Sequence, residues 1–542
     1  MNPTFSNIDL LIIFIYLITA LGIGLYASRR SDRNTEEYFL GGRNFGWFAV
    51  GLTIFATNIS SEHFIGLAGS GATRGLAVGQ FELMAIFVLI LLGWVLTPIY
   101  LKSGVMTMPE FLEKRFDHKI RKVFTVLSIC IYLFTKISVT LVAGGILFYK
   151  IFGLNIYASA IVIVLITGLY SLIGGSKAVI RTNVFQSFVL ITGALLLTIF
   201  GLIEVGGFSG LNQKLSADFF SMFKPLSDPD FPWTGILFGA PIIAFWYWCT
   251  DQYIIQRLLS AKSLNDARRG SLLAAGLKIL PIFILVLPGL IAAALYPEVS
   301  GDDAYPTLLA STLLPIGLKG LVLAGLLAAI MSSLSSVFNI IATLYTNDLY
   351  KPKHPSATES ELVLVGRIST TLIIFTAILC VPLVRQFDSQ IYIYLQSIQA
   401  YLGPPIAAVF IFGLSMKMVN AKGALLGLVI GELVGLTRII TDLLAKENLL
   451  NNSILYYFNS INFLHFAIIS FLISSFSIIA ISYVTGRKKK IDDSIIGSTD
   501  LPGLWNLNFD FGNVKTIRAT KVNIVLSTFI VIIIFGLWSI WS

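Results

Sequence analysis

The sequence predicts an all-α integral membrane protein of about fourteen spanning helices, and three observations carry that reading. Of its 542 residues, 56% are hydrophobic and only 12% charged, with a mean hydropathy of +0.83, whereas a soluble domain runs near about 25% charged. Apolar stretches of helix length recur from one end to the other. The basic residues between them alternate in density, as loops on two sides of a bilayer do. These features exclude a soluble enzyme, a disordered chain and a nucleic-acid binder. The formal charge of +9 therefore reads as membrane orientation, and residues 1–542 read as a single transmembrane domain.

A helix needs about 20 mainly apolar residues to cross roughly 30 Å of hydrocarbon. The window 9–28 meets this. Met1 to Ser6 carries no basic run and no small-residue cleavage site follows, so it is a leading span and not a removable signal. Ser31-Asp32-Arg33-Asn34 closes it. Further windows follow at 46–72, 79–101, 122–149, 156–174 and 182–204, then at 233–256, 271–296, 318–346, 362–384 and 391–414, and finally at 423–444, 462–485 and 521–541. Polar breakers at Pro225 to Pro232, Pro352 to Thr358 and Lys446 to Ser453 separate several of them. Val105 to Phe116 is amphipathic and too polar to span, so it is expected along the cytoplasmic face. The polar segment 486–520 reads as a cytoplasmic loop.

Charge tests this count. If the joins face the cytoplasm alternately, beginning after the first span, those joins hold 28 of the 38 Lys and Arg. Among them are Arg29, Arg30, Arg33, Lys114, Arg115, Arg268, Arg269 and the run Arg487 to Lys490. Lys150, Lys214, Lys224, Lys319, Arg385 and Lys446 fall on the opposite joins, and Arg74, Lys136, Lys278 and Arg438 within spans. Both termini are then outside.

Some chemistries have no residues to run on. Cys130, Cys249 and Cys380 lie in apolar stretches without metal or disulfide spacing. No phosphate-binding loop, no H-E-x-x-H, no G-x-S-x-G and no row of spaced arginines occurs. A secondary transporter, a channel or a membrane-embedded receptor remains.

Intramembrane polar residues cost roughly 2.5–3.5 kcal/mol each on insertion scales, so each needs a reason. The second span carries Asn58-Ile59-Ser60-Ser61-Glu62-His63 and then Gly66, Gly69 and Gly71. That run reads as a helix that breaks and frees carbonyls beside a cavity or an ion; the plainer account is a polar seam between helices. Glu82 lies in the third span, Trp246-Tyr247-Trp248-Cys249-Thr250-Asp251-Gln252 in the seventh and Lys278 in the eighth. The ninth holds Ser332, Ser333, Ser335 and Ser336, and the eleventh Gln396 and Gln399. Singly, these could be helix glue, an interfacial belt or a snorkelling Lys. Together, Glu82, Lys278, Asn58, His63, Gln396, Tyr247 and Trp248 form the inventory for a neutral polyhydroxylated solute. Hydroxyls take paired donors and acceptors, and aromatic faces cover the C–H side of a ring. Broken-helix carbonyls and paired serine hydroxyls suit a hard cation such as sodium, by analogy with other oxygen-ligated ions.

At these motifs the chain resembles the sodium/solute symporter family, and within it the sodium/glucose cotransporter branch. The stretches are Asn58 to Gly71, Met106 to Phe116, Trp246 to Gln252, Ala261-Lys262, Ala328 to Asn339 and Leu395 to Val409. The resemblance runs from about residue 9 to 485. It implies a LeuT-like 5+5 inverted-repeat core, here 46–204 and 233–414, with the leading helix 9–28 before and the trailing helices 423–541 after. It implies a sodium site of the carbonyls of Ala56, Ile59 and Ala329 with the hydroxyls of Ser332 and Ser333. It also implies a sugar site of Asn58, His63, Glu82, Lys278 and Gln396, with Tyr247 as inner gate and Trp248 beside it. Leu67, Phe81 and Tyr392 stand at the outer gate. His63, where some members have Gln, tilts the cargo towards hexoses. Asn183 stands where the family commonly has the Asp that accompanies a second sodium, which implies one sodium per solute. Lys136 is shared with the animal branch and has no assigned role. Arg438 and Asp442, at i and i+4, suit a local ion pair.

The resulting expectation is sodium-driven symport of a neutral hexose, such as glucose or galactose, across the plasma (inner) membrane by alternating access. It involves no covalent chemistry and no nucleic acid; the partners are sodium, sugar and the lipid bilayer, with the oligomeric state open. Rivals keep the fold and change the cargo to an inositol, an amino or organic acid or a halide, or replace accumulation by a solute-gated channel or sensor.

Overall fold

The computed structural model describes residues 5–28, 34–153, 155–299, 301–380, 390–447, 449, 454–486 and 514–541. Arg29, Arg30, Arg33, Arg385, the run 487–490 and most of the loop 486–520 lie outside them. The described residues are almost wholly helical and form no strand beyond two isolated bridges. Among the described residues, eleven helical stretches are long and apolar enough to cross a membrane, and two shorter apolar helices, Trp47–Asn58 and Gly235–Thr250, add to them.

The expected fourteen spans are therefore not reproduced helix for helix. Windows 156–174 and 182–204 fall in one 50-residue stretch, Ile156–Val205. At about 1.5 Å per residue this would run far beyond the bilayer, but the chain bends at Gly175 (φ 53°). Glycine is required there twice over: the dihedral is left-handed, and a Cβ would lie 2.5 Å from the carbonyl oxygen of Tyr38. The second expected window is divided, and its later part joins the third in the stretch His63–Ser103. The last helix, Val514–Ile540, begins inside the segment expected to be loop, which corrects that boundary. Residues 514–520 carry no Gly or Pro, so the helix runs on past its apolar portion.

The leading helix Asn7–Ser28 opens on a reciprocal cap. Ser6 N–H donates to Asp9 Oδ2 (2.9 Å), and Asp9 N–H donates to Ser6 Oγ (3.2 Å). Asp9 Oδ1 also accepts from the backbone N–H groups of Gly317 and Gly320 (2.9 and 2.8 Å). This fastens the leading helix to the start of Leu318–Leu344, which is buried along nearly all its length.

At one end, the amphipathic helix Met108–Arg115 buries Met108, Phe111 and Leu112. Arg115 donates to the carbonyls of Gly413, Met416 and Val419 (2.6, 3.1 and 3.2 Å), covering the end of Ile391–Ser415. Burial lowers its pKa to about 10, so it stays charged at neutral pH. Arg121 beside it donates to Asp348 (2.7 Å) and to the Asn347 carbonyl (2.7 Å). The Arg438–Asp442 pair forms at 3.1 Å. Arg438 also donates to the carbonyls of Phe458, Asn459 and Ile461, so closing that chain reversal is as much its task as the pair.

Candidate functional site

The site is built where two spans lose their helical hydrogen bonds. Trp47–Asn58 stops at Ile59, whose ψ of 117° is extended, and helix resumes beyond Ser60. Gly235–Thr250 stops at Asp251 (ψ 127°), whose carboxylate then caps Gln252–Leu259 by accepting from Tyr253 N–H (3.0 Å). A third interruption falls at Lys278 (ψ −5°), the C-cap of Leu264–Leu277. Pro281, which has no N–H to donate back along the helix, follows three residues later.

Carbonyls freed at the first break meet the serines of Leu318–Leu344. Ser332 Oγ donates to the carbonyls of Ala56 (2.8 Å) and Ala329 (2.9 Å), and Ser333 Oγ donates to those of Thr57 (3.2 Å) and Ile59 (3.3 Å). Tyr253 OH also donates to the Thr57 carbonyl (2.6 Å). All five positions named from the motifs thus lie within one buried cluster of neutral oxygens. The Thr57 carbonyl and Tyr253 were not foreseen. Adjacency to Asn58 was a signal for the first; nothing marked Tyr253 beyond its following the WYWCTDQ run.

On the other side of the break lies a hollow whose empty volume is about 520 Å³, counting the part that opens outward. Asn58, His63, Glu82, Tyr247, Trp248, Lys278 and Gln396 all line it, with Phe81, Tyr392, Lys136 and Gln399. Lys278 is buried and ion-paired with Glu82, and it donates to Asn58 Oδ1 (2.7 Å). Asn58 Nδ2 donates to Tyr247 OH (3.0 Å) and Gln396 Nε2 to Tyr392 OH (2.7 Å). Tyr247 and Trp248 meet edge to face, with ring centres 5.0 Å apart. The Lys136 ammonium sits 4.1 Å from the Tyr247 ring centre and 4.9 Å from that of Tyr253.

Over the cavity, Phe81 contacts Tyr392 (6.1 Å between ring centres), Phe231 (5.9 Å) and Phe463 (6.4 Å). Phe231 and Phe463 come from segments distant in sequence, and no motif announced them. An Arg74–Asp230 ion pair (2.5 Å) holds the Phe231 segment down. Burial raises the Asp230 carboxyl's pKa, and Arg74 opposes that rise. Leu67 is buried on the π-helical turn His63–Leu67 and does not line the cavity, unlike Phe81 and Tyr392.

Asn183 lies beside the oxygen cluster. Its Nδ2 donates to Thr57 Oγ1 (3.1 Å) and Ser336 Oγ (3.2 Å), and those hydroxyls are 3.1 Å from each other.

The model of the sodium:solute symporter family matches residues 38–431. The chain belongs to that family. This symporter is 39% identical over 532 residues to the sodium/glucose cotransporter 1 of Mus musculus, covering 89% of this chain and 80% of that one. It is 42% identical over 472 residues to the sodium/myo-inositol cotransporter 2 of Bos taurus, covering 80% and 70%. Its fold is LeuT-like: the solved substrate-bound, outward-open structure of a Na+-coupled sialic acid symporter superposes with a TM-score of 0.76 at 24% identity, over 89% of this chain and 98% of that one. The protein is therefore a multi-pass membrane transporter that couples sodium to a small-molecule solute, and not an enzyme.

Proposed function

We propose that this symporter carries a neutral hexose, such as glucose or galactose, into the cell with one sodium per sugar. The observation that carries the reading is the cavity of Lys278, Glu82, Asn58 and Tyr247, an ion-paired run of donors and acceptors against aromatic faces. The Glu82–Lys278 pair cancels its own charge, which suits a solute that brings hydroxyls and no charge. His63 and Gln396 extend the polar wall, and Trp248 beside Tyr247 covers the apolar side of a ring.

Sodium is assigned to the carbonyls of Ala56, Ile59 and Ala329 and the hydroxyls of Ser332 and Ser333. Because the same break also bears Asn58, an ion there orders one wall of the sugar cavity. Coupling follows when each ligand favours the same conformational state. Tyr247 closes the inner side, and Phe81 and Tyr392, which line the cavity as Leu67 does not, close the outer one. The inverted repeats are 46–204 and 233–414, and the chain sits in the plasma (inner) membrane with both termini outside.

The single sodium rests on Asn183, whose amide nitrogen donates to the two hydroxyls that a second cation would need as acceptors. A cyclitol is the second reading, favoured by the bovine relative named for myo-inositol. The test is purified protein in liposomes with an inward sodium gradient and labelled glucose, galactose, myo-inositol and sialic acid. Concentrative, sodium-dependent glucose or galactose uptake is expected. Accumulation of none of the hexoses, or equilibration without accumulation, rejects the proposal.

A further inference from the structure

Away from the central cavity, a second hollow lies against residues 127–139, 394–402 and 432–439. Its empty volume is about 1,110 Å³, counting the part that opens outward. Phe134 and Leu436, 63% and 47% exposed, stand at its rim. Its depth is apolar, and Leu395 is a wall that it shares with the central cavity. Thr135, Ser138 and Tyr394 bring hydroxyls to it; Tyr394 is not without a partner, and the other two hydroxyls are spent on their own helix. Thr135 Oγ1 donates to the Ile131 carbonyl (2.6 Å) and Ser138 Oγ to that of Leu133 (2.7 Å).

Glu432 differs. It is 7% exposed, it lines the hollow, and neither carboxyl oxygen has a hydrogen-bond partner. It lies near the middle of the 26-residue helix Ala421–Lys446, and therefore near the bilayer mid-plane. A buried polar group without a partner is costly, and one in mid-membrane marks a site more often than an accident. Water is a poor occupant, since it needs two to four polar partners and the hollow offers one free group. An acyl tail fills the walls and leaves the carboxyl unsatisfied. An ammonium satisfies it only after losing its hydration, which costs far more than desolvating a hydroxyl.

We propose that this hollow binds a membrane-dissolved alcohol, its chain along the apolar walls and its hydroxyl donating to Glu432. The test uses the full-length protein in phosphatidylcholine nanodiscs with a diazirine-bearing dodecanol, followed by peptide mapping of the label. Labelling is expected on residues 127–139, 394–402 and 432–439, competed by dodecanol and not by dodecane, which has no hydrogen-bonding group. Glu432→Leu is expected to fold at least as well, because it replaces an unpaired buried carboxyl by a hydrocarbon, and to cut labelling about tenfold. Leu436→Trp, which crowds the rim and keeps the carboxyl, should block labelling as well. Equal labelling of Glu432→Leu, equal competition by dodecane, or no label in these segments would overturn the proposal.

Discussion

On the proposed coupling of one sodium per sugar, replacing Asn183 by Asp is expected to raise the ratio to two. In the wild type, the amide nitrogen occupies Thr57 Oγ1 and Ser336 Oγ at 3.1 and 3.2 Å. The carboxylate cannot donate, so both hydroxyls turn to face it, and the pocket becomes anionic and oxygen-lined. Thr57 links this pocket to the first cluster, because its carbonyl accepts from Ser333. The energy follows from the gradient: at zero membrane potential, a tenfold sodium gradient supplies about 1.4 kcal/mol per ion, so the accumulation limit rises from about tenfold to about a hundredfold. A buried carboxylate with no counter-ion is destabilising by several kcal/mol, so Asn183→Asp should melt early in choline buffer and recover in sodium. The assay is paired flux of radioactive sodium and sugar in liposomes, with a thermal melt of the same preparation. A wild-type ratio of two sodium ions per sugar, or a folded, active variant whose ratio stays at one, would refute the reasoning.

Ser333→Ala should raise the half-saturating sodium concentration about tenfold, the worth of one hydroxyl contact, and leave the protein folded; sodium titration of uptake reads this. Glu82→Ala and Gln396→Ala should both abolish sugar uptake. Only the first should also lower the melting temperature, because it strands Lys278 in the interior at a cost of about 3–5 kcal/mol. Gly289→Ala should destabilise the fold by about 1–3 kcal/mol through overpacking: its Cβ would lie 2.0 Å from the Ala68 carbonyl oxygen, a clash measurable as lost monodisperse protein on heating.

Much of the site was legible because hydrocarbon makes polarity conspicuous. Asn58, Glu82, Lys278 and Gln396 each stood out in an apolar window, and the structure brings all four to one cavity. The break at Ile59 could be read from the polar run and its glycines. Phe231 and Phe463 could not: an aromatic residue in an apolar chain carries no mark, and only tertiary packing brings these two onto Phe81. The bend at Gly175 escaped because a hydropathy window sees a polar join there and not its geometry. Val514 was missed because apolar length locates a span, whereas a helix ends only where caps or breakers end it. Glu432 went unremarked because a lone carboxyl belongs to no motif.

The serine protons carry a last consequence. Ser332 and Ser333 donate to the carbonyls of Ala56, Ala329, Thr57 and Ile59. A cation bound there, as proposed above, would swing those hydrogens aside and exchange hydroxyl–carbonyl bonds for its own contacts. An ion held on these oxygens would be bound against that competition and so loosely enough to depart where its concentration is low. Turnover in such a machine depends on that near balance.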